Sequence, residues 1–386
     1  MRDPRRSIGR YRWLLAAASV AVALLIGEGL LRYALFHTAV ELGAKEPQYY
    51  ARSLDELWIY RHLFSTSERW IVAPGDTRES TAADAAGENG GSRIEFYRRW
   101  PASLMPDPTL GYVRKPDVRI PCHETTQLAT RGTHEYTEGG AKIAFFGDSF
   151  VESAACSNDT LTAKIERLSG IDTLNYGIGG YGLDQVYLYW KRLLPSLKEH
   201  ECSNCLFLAG LINDDLSRVL LKIRTSPKPY LTVGNGALAL HTDHIHPASL
   251  SDAYRRPPER SYLYYFLRGR LGFPIYRAFL TDTRDRREHA IGEISDLIFK
   301  DMAELSRQYD AALAFVIFPT PGAVFDPRVV AQMRAHKLPV VDLQTCLRAS
   351  GRADTELYAE LHPTSLGNEL LARCLLRDLV GLHLLH

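Results

Sequence analysis

"KIAFFGDSF", residues 142–150, joins a short apolar run to a polar turn. Lys142 to Gly147 is nearly continuous in hydrophobicity, as expected of a strand covered on both faces. The same kind of run recurs at "DTLNYG" (172–177), "CLFLAG" (205–210), "ALAFVIF" (312–318) and "LPVVDL" (338–343). Helical patterns lie between and after these runs, near 160–168, 183–198, 286–309, 327–336 and 364–380. Five such strand–helix units predict an α/β fold. Right-handed crossovers make a three-layer α/β/α sandwich around a five-stranded parallel sheet the simplest arrangement. No internal repeat is evident.

The surrounding chain is ordinary in bulk. Its 386 residues are 46% hydrophobic and 24% charged, which excludes a disordered, collagen-like or miniature disulfide-dense protein. Lys plus Arg total 46 and Asp plus Glu 45, a net charge of +1, so bulk electrostatics gives nucleic-acid binding no support. Six cysteines are too few for a disulfide scaffold. Cys122 with Cys156 and Cys346 with Cys374 could pair in an oxidising compartment. Cys202 and Cys205 form C-x-x-C at the start of a strand, where a local disulfide or inert thiols fit better than a redox motif.

The N-terminus points to a membrane. Arg2, Arg5, Arg6, Arg10 and Arg12 precede an apolar run from Trp13 to Leu31, interrupted at Glu28. As a helix that run is roughly 28 Å long, about the hydrocarbon thickness of a bilayer. The arginines place the N-terminal end in the cytoplasm. Residues 1–36 are read as a cytoplasmic stub and an uncleaved single-pass anchor in a cell inner membrane, with the remainder periplasmic. A cleaved signal peptide is the rival reading, but no clean small-x-small site follows the run. Residues 37–139 read as membrane-proximal helices, a small polar loop at 73–92, and an extended proline-rich arm. The main domain spans 140–383, with an insertion at about 215–285. Within the insertion, apolar runs flank Gly234-Asn235-Gly236, the signature of a β-hairpin. "RSYLYYFLRGRLGFPIY" (260–276) reads as a packed flank helix, or alternatively as a substrate lid or lipid-facing surface. The cluster His241, Asp243, His244 and His246 lacks a recognised metal spacing.

Four features fall at the C-terminal ends of strands, where ligands of open α/β sheets bind. Ser149 ends the first strand and opens a helix. "NYGIGGYG" (175–182) follows the second strand, with glycines that let backbone approach a ligand. Asn213 and Asp214 follow the third. His362, in "HPTSLGN" (362–368), precedes the last helix. Alone, Ser149 could simply cap a helix. Four such groups at one sheet rim suit nucleophilic attack on a carbonyl.

These blocks, "GDSF", "NYGIGGYG", "INDD" and "HPTSLGN", resemble those of the SGNH (GDSL-type) hydrolase superfamily, in the family's order and over about residues 140 to 383. The resemblance implies the flavodoxin-like fold of that family and an ester-hydrolysing enzyme without cofactor or metal. It makes Ser149 the nucleophile and His362 the general base. Gly180, Asn213 and the Ser149 backbone N–H become oxyanion donors. Gly180 is chosen because it stands five residues after Asn175, a spacing the family tends to show. Two departures stand out. Gly210 lies three residues before Asn213, so only the Asn-Asp pair of that block matches well. The family's acid, three residues before its histidine, is here Ala359. Glu360 is the first substitute and Asp354 the second; a Ser–His dyad is the remaining option.

The expected function is hydrolysis of an O-acyl ester, glycan- or lipid-linked, outside the cytoplasm. The expected partners are an acylated carbohydrate or lipid-like ester and the membrane. Two alternatives stay open: an O-acyltransferase in exopolysaccharide or cell-envelope modification, and an inactive binding or assembly protein on the same fold.

Overall fold

A computed structural model describes residues 4–37, 103–133, 136, 142–201, 204–220, 228–242, 245, 263, 274–359 and 361–385. The membrane-proximal helices and polar loop expected within 37–102 lie outside this set, as does most of the aromatic segment at 260–276. The chain divides into two units, Met1–Arg99 with Ser249–Arg284 and Trp100–Ala248 with Asp285–His386.

In the first unit a helix runs from Pro4 to His37. Its segment Trp13–Leu30 has a mean hydropathy of 1.9 and no buried side chains, so apolar groups face outward on every side. Ser19 Oγ donates to the Leu15 carbonyl at 2.9 Å, which satisfies the hydroxyl within the helix itself. Such a segment suits a membrane anchor or a signal sequence. Glu28, near its far end, accepts the Leu263 N–H at 2.9 Å.

The second unit is built on a parallel sheet. Its strands are β3 (Lys142–Gly147), β4 (Asp172–Gly177), β5 (Leu206–Leu211), β8 (Ala312–Ile317) and β9 (Val340–Asp342). They lie in the order β4-β3-β5-β8-β9. Every pairing between them is parallel. The chain steps from β3 to β4 on one side, then returns to β5 on the other. That reversal opens a crevice beyond the carboxyl end of β3. All five expected strands form, with bounds shifted by two residues or fewer.

Alternate residues of β3 feed two cores, as a period-2 strand requires. Ala144 and Phe146 face a cluster containing Trp190, Ile298, Phe299 and Met333, from helices Leu183–Ser196, Pro274–Gln308 and Pro327–Ala335. Ile143 and Phe145 face a cluster containing Ile165, Leu347, Leu371 and Leu375, from helices Leu161–Ser169, Leu343–Ala349 and Ser365–Gly381. Helices therefore cover both faces, as expected. The hairpin is also present: β6 (Tyr230–Gly234) pairs antiparallel with β7 (Ala237–His241). Asn235 and Gly236 at the turn both have positive φ, 52° and 72°, as a type I′ turn demands.

The proline-rich arm differs from a simple extended lead-in. Leu104–Asp107 (β1) and Gly111–Arg114 (β2) form an antiparallel hairpin. Its Leu110 and Tyr112 belong to the sheet's own core. The arm is part of the unit that carries the sheet, where burial of Leu110, Tyr112 and Val113 holds it.

Candidate active site

Ser149 begins a four-residue helix, Ser149–Glu152, directly beyond β3. Asp148 caps that helix by accepting the Phe150 N–H at 2.8 Å. The Ser149 hydroxyl lies 2.9 Å from His362 Nε2, across 213 residues of sequence. A bond of that length lets the imidazole take the hydroxyl proton.

The histidine is held by a tight local fold. Tyr358–Ala359 (β10) and His362–Pro363 (β11) pair antiparallel. Thr364 then caps helix Ser365–Gly381 through the Gly367 N–H, 3.1 Å away. The Phe150 ring lies 5.5 Å from the imidazole. Asn368 reaches back to Ser153 Oγ at 3.1 Å, tying this block to the serine helix.

The glycine loop packs against that helix. A Cβ on Gly177 would overlap the Glu152 amide nitrogen and lie 2.7 Å from the Val151 carbonyl carbon, so only glycine allows the approach. Gly179 lies beside Ser149: a Cβ built on it would stand 3.8 Å from Ser149 Cβ. The Gly179 N–H is already committed to Glu152 Oε2 at 2.6 Å, and its carbonyl accepts from Tyr112 Oη at 2.8 Å. Gly180 follows with φ of 82°. Its N–H has no acceptor among the described residues.

Asn213 opens helix Asn213–Arg218 just beyond β5. Its Oδ1 accepts the Asp326 N–H at 3.2 Å, which fixes the amide orientation and leaves Nδ2 free to donate. Asn213 also lines a cavity of about 990 Å³, together with Ser217, Glu293, Asp296, Val324 and Asp326. A second cavity of about 470 Å³ is lined by Pro319, Gln344, Arg348, Asp354 and Tyr358.

The acid of the site is less simple. Ala359 faces His362 across the β10–β11 pairing, and its side chain offers no acceptor. Glu360 lies outside the described residues. Asp354 starts the short helix Asp354–Leu357, exposed, with no hydrogen bond joining it to His362. His241 of the polar cluster bonds Thr232 Oγ1 at 2.8 Å, while Asp243, His244 and His246 lie outside the described residues.

Several supporting residues were not singled out from sequence. Buried Arg114 donates to Glu152 Oε1 at 3.0 Å and to the Gly177 carbonyl. Arg131 Nη1 reaches the Glu152 carbonyl at 2.7 Å and also the Ser153 carbonyl. Its Nη2 bonds the Cys122 carbonyl at 2.8 Å and also the Ala155 carbonyl. Burial lowers the Arg131 pKa to about 10. Arg218, Asp148 and Asp215 form a buried ion network behind the site. Burial, and then the charge of Asp148, push the Asp215 carboxyl well above the usual range. A second buried pair, Lys228 with Asp184, lies nearby in the chain.

Two of the pairings the sequence leaves open are formed, Cys122 with Cys156 and Cys346 with Cys374. Cys205 is also disulfide-bonded, and Cys202 lies outside the described residues.

No protein-family model and no curated protein matches the sequence. Among solved structures the chain is similar to a member of the lipolytic protein G-D-S-L family from Veillonella parvula. Identity is 11%, coverage is 62% of this chain and 99% of that one, and the TM-score is 0.34. It is similar also to the lipase/acylhydrolase from Enterococcus faecalis, at 13% identity, 63% and 96% coverage, and a TM-score of 0.33.

Proposed function

We propose that the chain is a serine hydrolase of O-acyl esters, glycan- or lipid-linked, working outside the cytoplasm. One observation carries this reading: the 2.9 Å contact between Ser149 Oγ and His362 Nε2 at the carboxyl rim of the sheet.

The chemistry follows from that contact. Ser149 Oγ attacks the ester carbonyl carbon while its proton passes to His362 Nε2. The carbonyl oxygen becomes an oxyanion, stabilised by the N–H groups of Ser149 and Gly180 and by Asn213 Nδ2. The carbon–oxygen bond to the alcohol then breaks, and His362 returns its proton to the departing alcohol. Water attacks the acyl-enzyme with His362 again as base, releasing the acid and restoring Ser149. Glu360, the nearest carboxylate in sequence to His362, is assigned to orient the imidazole.

The disulfides support an oxidising location, since such bonds persist outside the cytoplasm. The arginine-flanked apolar helix supports a tether to the membrane.

The test is hydrolysis of p-nitrophenyl acetate and of O-acetylated oligosaccharides by wild type and Ser149→Ala. The expected result is turnover by wild type alone, with a fluorophosphonate labelling only Ser149. Equal turnover by both proteins rejects the reading. Acyl transfer to an added sugar, seen by mass spectrometry, would reassign the enzyme as a transferase.

A further inference from the structure

We propose that Arg218 is the positioning residue that sets the spacing of the three oxyanion donors. The assignment rests on the ester-hydrolase reading above. Arg218 Nη1 lies 3.2 Å from Asp148 Oδ2, 2.8 Å from the Tyr181 carbonyl oxygen and 2.5 Å from Asp215 Oδ1. These acceptors follow three different strands, and each stands within two residues of a donor. Asp148 precedes Ser149 and caps its helix. Tyr181 follows Gly180. Asp215 Oδ2 accepts the Ile212 N–H at 2.9 Å, closing the turn that holds Asn213. One guanidinium, with a side chain 4% exposed, therefore ties together the serine turn, the glycine loop and the asparagine turn. All three contacts are made by Nη1, whose two N–H groups are shared among them at the end of a long, permanently charged side chain.

Arg218 also controls charge beside the nucleophile. Asp148 Oδ2 lies 3.4 Å from Ser149 Oγ, so the hydroxyl has two acceptors in reach, this carboxylate and His362 Nε2. An uncompensated carboxylate there would draw the hydroxyl from its base and repel the developing oxyanion. Pairing with Arg218 removes both penalties. Without the guanidinium, two carboxylates would be left buried beside each other.

The experiment compares full-length wild type, Arg218→Met and Arg218→Lys on p-nitrophenyl acetate, with kcat expressed per folded molecule well below each Tm. For Arg218→Met, kcat should fall about 100-fold, the scale of losing one oxyanion donor. KM should stay within about twofold, because the interaction acts in the transition state. Arg218→Lys keeps the charge but not the reach that brings Nη1 to all three acceptors, and should recover about tenfold of that loss. A wild-type kcat per folded molecule, with only Tm lowered, overturns the assignment. Should Arg218→Met fail to fold, Arg218→Lys decides alone: wild-type kcat overturns the proposal, and a loss of about tenfold at unchanged KM upholds it.

Hydrogen exchange over residues 147–152, 178–183 and 211–216 reads the same positioning without substrate. Exchange should quicken in all three segments of the variants, and unchanged exchange overturns the tether. A wild type inactive on every ester, with quickened exchange in the variants, overturns the hydrolase reading and retains Arg218 as the tether.

Discussion

Ala359 stands opposite His362 across the two-residue pairing of β10 and β11. Its methyl cannot accept a hydrogen bond from an imidazole, so a carboxylate in that role would have to come from elsewhere. Glu360→Gln is expected to lower kcat by about 10²–10⁴-fold with little change in KM, the range for general acid–base assistance. Asp354→Asn, at an exposed helix start, is expected to leave kcat unchanged. The reverse ranking in steady-state kinetics would transfer the role to Asp354.

The packing of Gly177 on the serine helix gives a second prediction. Gly177→Ala meets backbone atoms of Val151 and Glu152, which cannot swing aside. It should cost at least about 2 kcal/mol in urea unfolding, as overpacking does. Gly179→Ala meets Glu152 Oε2 at 2.7 Å, the mobile end of a side chain. Moving that end breaks its bond to the Gly179 N–H and disturbs the pair with Arg114. Gly179→Ala should therefore cost less stability than Gly177→Ala, yet lower kcat about tenfold through misplacement of the loop.

The parts legible in the sequence share one property, a pattern that local chemistry imposes. Strands buried on both faces are continuous apolar runs, so β3, β4, β5, β8 and β9 can be read directly. Ser149, the glycine loop and Asn213 each follow such a run at a polar break, and His362 is marked by the polar turn that opens the last helix. Arg114 and Arg131 leave no such trace. Their partners include backbone carbonyls of Gly177, Glu152, Ser153, Ala155 and Cys122, and every residue has a carbonyl. Arg218 is hidden for a related reason: it lies at the start of a long insertion, where a charged residue reads as solvated. The short helices Leu343–Ala349 and Asp354–Leu357 escape because one or two turns show too little periodicity to detect.

The Cys122–Cys156 bond gives a third prediction. It joins the arm to the loop after the serine helix across a sequence separation of 34. Chain entropy alone values such a closure at about 3–4 kcal/mol. The double variant Cys122→Ser/Cys156→Ser should lose about that much stability in chemical denaturation. Arg131 grips the Cys122 and Ala155 carbonyls independently, so the folded variant should keep its kcat. A large loss of kcat with unchanged stability would mean that the disulfide acts on the site itself.

Acid should loosen the link between the serine and histidine blocks. Asp159 accepts from Lys164 Nζ at 2.5 Å and from Ser365 Oγ at 2.8 Å, and Ser365 stands three residues after His362. The bond from Lys164, followed by that from Ser365, holds the Asp159 carboxyl below its ordinary value. A carboxyl lowered on folding contributes stability that is present above the unfolded value, about 3.9, and is lost as pH falls through the folded value. Asp159→Asn should therefore be less stable than wild type at pH 7, and the two urea midpoints should converge below about pH 4. Asp159 is about half exposed, so the difference at pH 7 should also shrink in high salt. A gap that stays constant across both pH and salt would show that the Asp159 side chain stabilises through shape and neutral hydrogen bonding rather than through its charge.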